Sequence, residues 1–233
     1  MVRHSLNTRA WIADMNMDQQ RTKMVDNQLR PFDISHYDVL AAFLSVPREF
    51  FIPASKRVLA YSDAEIEIVD GDSVRRMIRP MHLARMIQAA ELSDTSVVLD
   101  LGCLTGYSSA ILSKIAGTVV ALETTEAMVE RATNALSDAD VDTVAVLEGD
   151  LTAGYPSEGP FDAIFAAGAM EQVSEALVSQ LREDGVLITA LGYGGAGRAV
   201  KICRDGDGYT VIPLFNAAVP PLPGFERVPE FEF

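Results

Sequence analysis

The sequence predicts an α/β protein built on one mostly parallel, doubly wound sheet that closes with an antiparallel hairpin. Three observations carry that prediction. The run Val97–Leu101 is apolar and β-branched around a single Asp100, as expected of a strand covered on both faces. A glycine turn, one helical stretch and a second such run at 118–122 follow it, which is the spacing of a parallel βαβ unit. Near the other end, Asp205-Gly206-Asp207-Gly208 separates the strand-like runs 201–204 and 209–214, a hairpin signal.

Taken in order, residues 17–29 and 35–44 carry helical spacing, with candidate caps at Asn16 and Ser35 and a break at Pro31. Pro47 and Pro53 bracket the short segment 48–51. Val39, Leu40, Phe43 and Leu44 give this region an apolar face, so it should pack as a cover beside the sheet's ligand edge. After Val97–Leu101 the chain turns at Gly102 and Gly106. Residues 107–114 then suit a helix on the sheet through Ala110, Ile111 and Leu112, ended by Gly117 near Lys114. The 118–122 strand delivers Glu123 to its carboxyl end. A helix over 126–136 and a strand over 141–147 lead to Glu148-Gly149-Asp150. A strand at 161–167, a helix at 173–181 and a strand at 186–191, introduced by Gly185, precede the hairpin. The segment 219–224 is proline-rich and irregular, and Phe225, Phe231 and Phe233 would be costly to expose, so they should fasten the tail to the core.

Composition narrows the function. A chain of 233 residues with formal charge −14 has the wrong sign for general binding to nucleic acid or an anionic membrane. There is no membrane-length apolar run, and the first fifteen residues lack the apolar stretch of a signal peptide. The two cysteines, Cys103 and Cys203, suit a reducing compartment, so a cytoplasmic location is expected. Cys103 reads as a small residue filling a tight turn, since no nearby feature supplies it with a base. His4, His36 and His82 lack metal-ligand spacing, and no metal site is expected. Arg75, Arg76, Arg79 and Arg85 fall within eleven residues. They could grip a carboxylate or phosphate through two-pronged hydrogen bonds, or form ion pairs with the many acids elsewhere.

The chemistry concentrates where parallel sheets bind ligands, at the carboxyl ends of their strands. Glu123 is placed to accept hydrogen bonds from both hydroxyls of a ribose. Asp150 could accept from an adenine amino group, or be a turn acid in solvent. The loop Gly102-Cys103-Leu104-Thr105-Gly106 has glycine at its first and fifth positions, which departs from the first, third and sixth of a dinucleotide fingerprint. Leu104 stands at the centre, where a branched side chain crowds a ligand or forces another loop course.

That loop is closer to the GxGxG turn of S-adenosylmethionine methyltransferases. A longer series of residues resembles the protein-L-isoaspartate O-methyltransferases from about Met15 to Phe215. It comprises Met24-Val25-Asp26-Asn27-Gln28-Leu29-Arg30-Pro31, Val46-Pro47-Arg48-Glu49-Phe50-Phe51-Ile52-Pro53 and Ala60-Tyr61-Ser62-Asp63. Val98-Leu99-Asp100-Leu101-Gly102 with Thr105-Gly106-Tyr107, and Pro160-Phe161-Asp162-Ala163-Ile164, complete it. The resemblance implies the Rossmann-like class I methyltransferase fold and S-adenosylmethionine as cofactor. Gly102, Cys103, Thr105 and Gly106 would line its methionine end, Asp100 its ammonium, Glu123 its ribose, and Asp150 with Leu151 its adenine. The implied acceptor is an anionic carboxylate, that of an isoaspartyl peptide or protein, under the 75–82 segment with Arg79 or Arg76 as its cation. In the family that segment reads G-Q-T-I-S-Q-P; here Ile78 stands in the serine's place. In this, and in Gly168-Ala169-Met170, the chain is similar to a divergent bacterial branch. The implied divisions are an extension at 1–16, a helical cover and acceptor segment at 17–80, a cofactor domain at 81–215 and a tail at 216–233. Ile78 and Leu104 also motivate two other readings: methylation of a small anionic metabolite, and a non-catalytic binding protein.

Overall fold

A computed structural model describes residues 17–71, 73–192 and 196–225. The 1–16 extension with Asn16, and Phe231 and Phe233 of the tail, lie outside the described residues.

The chain opens with helix α1 (Met17–Met24), which runs on through a π-helical turn at Val25–Leu29 and a 3-10 turn at Arg30–Phe32 that contains Pro31. Helix α2 (Tyr37–Ser45) follows. Its N-cap is His36 rather than Ser35, and no side chain of its own caps it. Gln88 does so from a distance, its Oε1 accepting from the amides of Ser35 and His36 at 2.9 and 3.0 Å. Two 3-10 segments, Arg48–Phe51 and Ala54–Leu59, complete the cover.

Strands β1 (Ile66–Asp70) and β2 (Ser73–Met77) then form a separate antiparallel hairpin that the sequence reading did not assign. Its alternation is visible in retrospect: Ile66, Ile68 and Met77 are buried while Val69, Val74 and Arg76 are exposed. Helix α3 (Pro80–Ala89) starts with proline in its first turn, where the missing N–H costs nothing.

The main sheet comprises β3 (Val97–Leu101), β4 (Thr118–Glu123), β5 (Val144–Glu148), β6 (Phe161–Met170), β7 (Leu181–Leu191), β8 (Arg198–Asp205) and β9 (Gly208–Asn216). Their spatial order is β5-β4-β3-β6-β7-β8-β9; the first five are parallel and the last two antiparallel. Helices α4 (Tyr107–Leu112), α5 (Glu126–Asp138) and α6 (Glu175–Val178) make the connections. Thr125 caps α5 by accepting from the Met128 amide. The 173–181 helix of the sequence reading contracts to the single turn α6, because Leu181 already pairs with Phe161 as the start of β7. Gly185 therefore lies inside that strand, at a shift in register, and does not precede it.

Side-chain alternation divides the core. Val98, Val119, Phe165 and Ile188 face the cover and α4, joining Val25, Leu29, Phe43 and Phe51 in one cluster. Leu99, Leu101, Leu122, Ile164 and Leu187 face the other way, together with Leu222 of the tail. Burying an aromatic such as Phe43 or Phe51 contributes about 1.5–3 kcal/mol, so the cover is fixed to the sheet by its own apolar face. No helix among the described residues is long and apolar enough to cross a membrane.

Candidate functional site

The strand order reverses at β3, whose neighbours are β4 and β6, so the carboxyl ends of these strands are the switch point at which sheets of this kind bind ligands. The turn after β3 is left-handed three times, at Gly102 (φ 72°), Leu104 (φ 56°) and Gly106 (φ 89°). At Leu104 that backbone costs about 1–2 kcal/mol, the penalty of a Cβ in the left-handed region. Its side chain, 7% exposed, joins the core cluster on the α4 side, and its amide donates to Glu123 Oε1 at 2.5 Å. The bulky residue thus packs inward and turns a donor toward the acid of the next strand.

Glu123 is 0% exposed. Its Oε2 accepts from Arg75 Nη1 at 2.6 Å and from the Thr124 amide at 3.0 Å. Arg75, 11% exposed in its side chain, also donates from Nη2 to the Gly102 carbonyl at 3.1 Å. Asp100 is equally buried, but only its Oδ2 is engaged, by Ser108 at 2.6 Å and Ser109 at 2.5 Å. Its Oδ1 has no hydrogen-bond partner among the described residues. Burial pushes its carboxyl up to about 6, against the opposing serine hydrogen bonds, and Glu123 nearby adds to the rise.

The other predicted residues fall around this pair. Burial pushes the Cys103 thiol up, the state of an inert thiol and not of a nucleophile. Thr105 donates to the Phe51 carbonyl at 2.7 Å, tying the loop to the cover. Asp150 is exposed; its Oδ1 accepts from the hydroxyl and the amide of Thr152 at 2.7 and 2.8 Å, bonds that hold its carboxyl below the usual range. Leu151 is buried against Gly102. A Cβ at Gly102 would lie 2.9 Å from Leu222, 3.0 Å from Arg75 Nη2 and 3.2 Å from Leu151, so only glycine permits this approach. Ile78 is buried, and its carbonyl accepts from Nη2 of the fully buried Arg48 at 3.0 Å. Arg48 in turn lies 4.6 Å over the Tyr107 ring.

Arg76 and Arg79 turn to acids of the cover and hairpin. Arg76 reaches Glu67, its cross-strand partner, at 3.3 Å, and Arg79 reaches Asp63 at 3.9 Å with its buried Nε unpartnered. Arg75 is the member of the arginine group that reaches the switch point, and the sequence reading gave it no role of its own. The usable signal was period two along β2: Met77 is apolar and inward, so Arg75 shares its face and Arg76 does not. Leu222 and Arg48 were also missed: Arg48 lay inside the Val46–Pro53 motif without a role of its own, and nothing local in the sequence marks Leu222.

Both acids offer acceptors at this edge: the orphan Oδ1 of Asp100 is open to a cationic donor, and Glu123 keeps one acceptor site beside its three resident donors. A glycine turn between two such acids at the switch point of this sheet defines a Rossmann-like methyltransferase. Two solved structures share the fold: a protein-L-isoaspartate O-methyltransferase (TM-score 0.77, 24% identity, 88% of this chain and 66% of that one), and a Plasmodium falciparum protein titled a putative protein-L-isoaspartate O-methyltransferase in complex with S-adenosyl-L-homocysteine (TM-score 0.72, 20% identity, 90% and 99%). A protein-L-isoaspartate O-methyltransferase of Herpetosiphon aurantiacus is 31% identical over 91% of this chain and 95% of its own length. The profile of the protein-L-isoaspartate(D-aspartate) O-methyltransferase family matches residues 19–219. The chain belongs to that family, and with it to the S-adenosylmethionine-dependent methyltransferases.

Proposed function

We propose that this chain methylates a carboxylate oxygen, with the isoaspartyl carboxylate of a damaged peptide or protein as acceptor. The observation that supports it is the pair of buried acids, Asp100 and Glu123, on adjacent strand ends across a left-handed glycine turn. Bound there, S-adenosylmethionine supplies the methyl group and, as a sulfonium, its own leaving group. Asp100 holds the ammonium, Glu123 the ribose hydroxyls, Gly102, Cys103, Thr105 and Gly106 border the methionine end, and Asp150 with Leu151 the adenine. An ionised acceptor carboxylate needs no general base. The protein's task is therefore alignment of oxygen, methyl and sulfur and exclusion of water, which the 75–82 segment serves. Arg79, with a free buried Nε beside Ile78, is the cation for the acceptor, and Arg76 braces the hairpin through Glu67.

Calorimetric titration with S-adenosylmethionine and its demethylated product tests the cofactor assignment; absence of heat with both overturns it. Methyl transfer to an isoaspartyl peptide, and none to the same peptide with ordinary aspartate, tests the acceptor. Arg79→Ala should weaken that peptide's binding by about 1.5–3 kcal/mol, the worth of one charged hydrogen bond. Ile78 favours a second reading, because its buried side chain offers no hydrogen bond where the family resemblance places a serine. On that reading the acceptor is a small anionic metabolite, and transfer to a metabolite extract with none to the isoaspartyl peptide selects it.

A further inference from the structure

We propose that Arg75 competes with the ligand's ribose hydroxyls for Glu123, so that binding at this edge is an exchange of partners and Arg75 sets the affinity for the cofactor. The inference rests on the assignment of Glu123 to the ribose.

The argument begins with a count of acceptor sites. A carboxylate offers about four lone-pair sites, two on each oxygen. On Glu123 the Leu104 amide takes one site of Oε1, while Arg75 and the Thr124 amide take both of Oε2. A vicinal diol that donates two hydrogen bonds needs two sites, and one is left. One resident donor must leave. The two amides belong to the turn after β3 and to the residue after β4, and cannot withdraw without undoing the strand ends. Arg75 reaches in on a long side chain from the separate hairpin, and it is the donor that can go.

The attachments of the surrounding pieces agree. The tail is stitched to β6 through its backbone: the Ala169 amide donates to Pro220 O at 2.8 Å, and the Leu222 amide to Ala169 O at 2.9 Å. Among the described residues the β1–β2 hairpin shares no strand pairing with the main sheet. Its Ile66, Ile68 and Met77 sit in the core, and side-chain bonds pin it near β4 and α5, Thr125 to Asp70 at 3.1 Å and Arg131 to the Val69 carbonyl at 2.9 Å, besides Arg75 itself. The Gly102 carbonyl bond places the Arg75 guanidinium beside the glycine turn, so its departure removes one of the three side chains, with Leu222 and Leu151, that stand over that turn. Arg76 and Arg79 cannot substitute for it, since they point to Glu67 and Asp63.

The test is calorimetric binding of S-adenosylhomocysteine, adenosine and 2′,3′-dideoxyadenosine to the wild-type protein and to Arg75→Met, which keeps the apolar stem and removes the fork. The expected result is a gain of roughly tenfold for S-adenosylhomocysteine and adenosine in the variant, the factor equal to about 1.4 kcal/mol. The dideoxy nucleoside, which has no hydroxyls to exchange, should gain little. Arg75→Lys, which keeps the charge without the two-pronged reach, should fall between, and it carries the test if Arg75→Met does not fold. Equal affinity in wild type and variants overturns the competition while leaving the ribose assignment intact. Weaker binding in the variants makes Arg75 a ligand contact and overturns it likewise. An equal gain for the dideoxy nucleoside reduces the effect to steric relief and also overturns it. No binding of S-adenosylhomocysteine to any form removes the cofactor site and the competition together.

Discussion

Asp100 at the end of β3 and Glu123 at the end of β4 are buried to the same degree and stand one strand apart, yet their surroundings differ in kind. Glu123 has an arginine and two backbone amides on its two oxygens. Among the described residues, Asp100 has two serine hydroxyls on one oxygen, no cation, and nothing on the other. A buried carboxylate without full compensation opposes folding, whereas one that is paired and hydrogen-bonded can support it. The difference teaches that these neighbouring acids do different work in the free protein: Glu123 closes the turn and the hairpin onto the sheet, while Asp100 stays incompletely compensated at the expense of stability.

The severest test of this contrast is Glu123→Ala. It strands Arg75 and leaves the Leu104 and Thr124 amides without their acceptor, so it should cost about 3–5 kcal/mol, as breaking a buried pair does. The midpoint and slope of a urea transition measure it. A loss below about 1 kcal/mol would show that these donors find water easily and that the two acids are alike after all.

Asp100→Asn should act with the opposite sign. The folded protein holds the Asp100 carboxyl at about 6, above its unfolded value near 4, so the native state binds this proton more tightly than the unfolded state does. By linkage, that group's contribution is fully present below about pH 4 and is lost as pH rises through about 6. Asparagine removes the charge at nearly constant shape. At pH 8 the variant should be about 1–3 kcal/mol more stable than wild type, at pH 4 about equal to it, and unable to hold the ligand's ammonium. Stability curves at the two pH values check this, and a variant destabilised equally at both would break the contrast.

How legible each acid was follows from the range of the forces that place it. The strand ends carrying Asp100 and Glu123 were readable because a buried parallel strand leaves an unbroken local pattern and the glycine turn lies beside it. Their partners divide by sequence distance. Ser108 and Ser109 lie within one turn of the glycine loop, whereas Arg75 is 48 residues from Glu123. The side chains of four neighbouring arginines are chemically equivalent until a hairpin decides which one faces inward. The same holds for Gln88, which caps α2 from another helix, and for Leu222, which reaches Gly102 from the tail. Leu104 was read as crowding a ligand or forcing another loop course, and the structure packs its side chain inward. Its direction depended on a left-handed backbone that no residue type at that position announces.

Ser109→Ala gives the smallest and most discriminating change. It removes one of the two hydroxyls on Asp100 Oδ2 and leaves Ser108 in place. A hydrogen bond to the ionised acid is worth about 1.5–3 kcal/mol and one to the neutral acid about 1 kcal/mol, so the loss should be larger at pH 8 than at pH 4.5. The difference of roughly 1 kcal/mol corresponds to a further rise of about one pH unit in the step expected of wild type near 6. The hydrogen bonds on Glu123 should stay as they are, since neither serine touches it. A loss of the same size at every pH would mean that Ser109 contributes packing alone. The orphan oxygen would then no longer mark Asp100 as the acid that awaits a ligand.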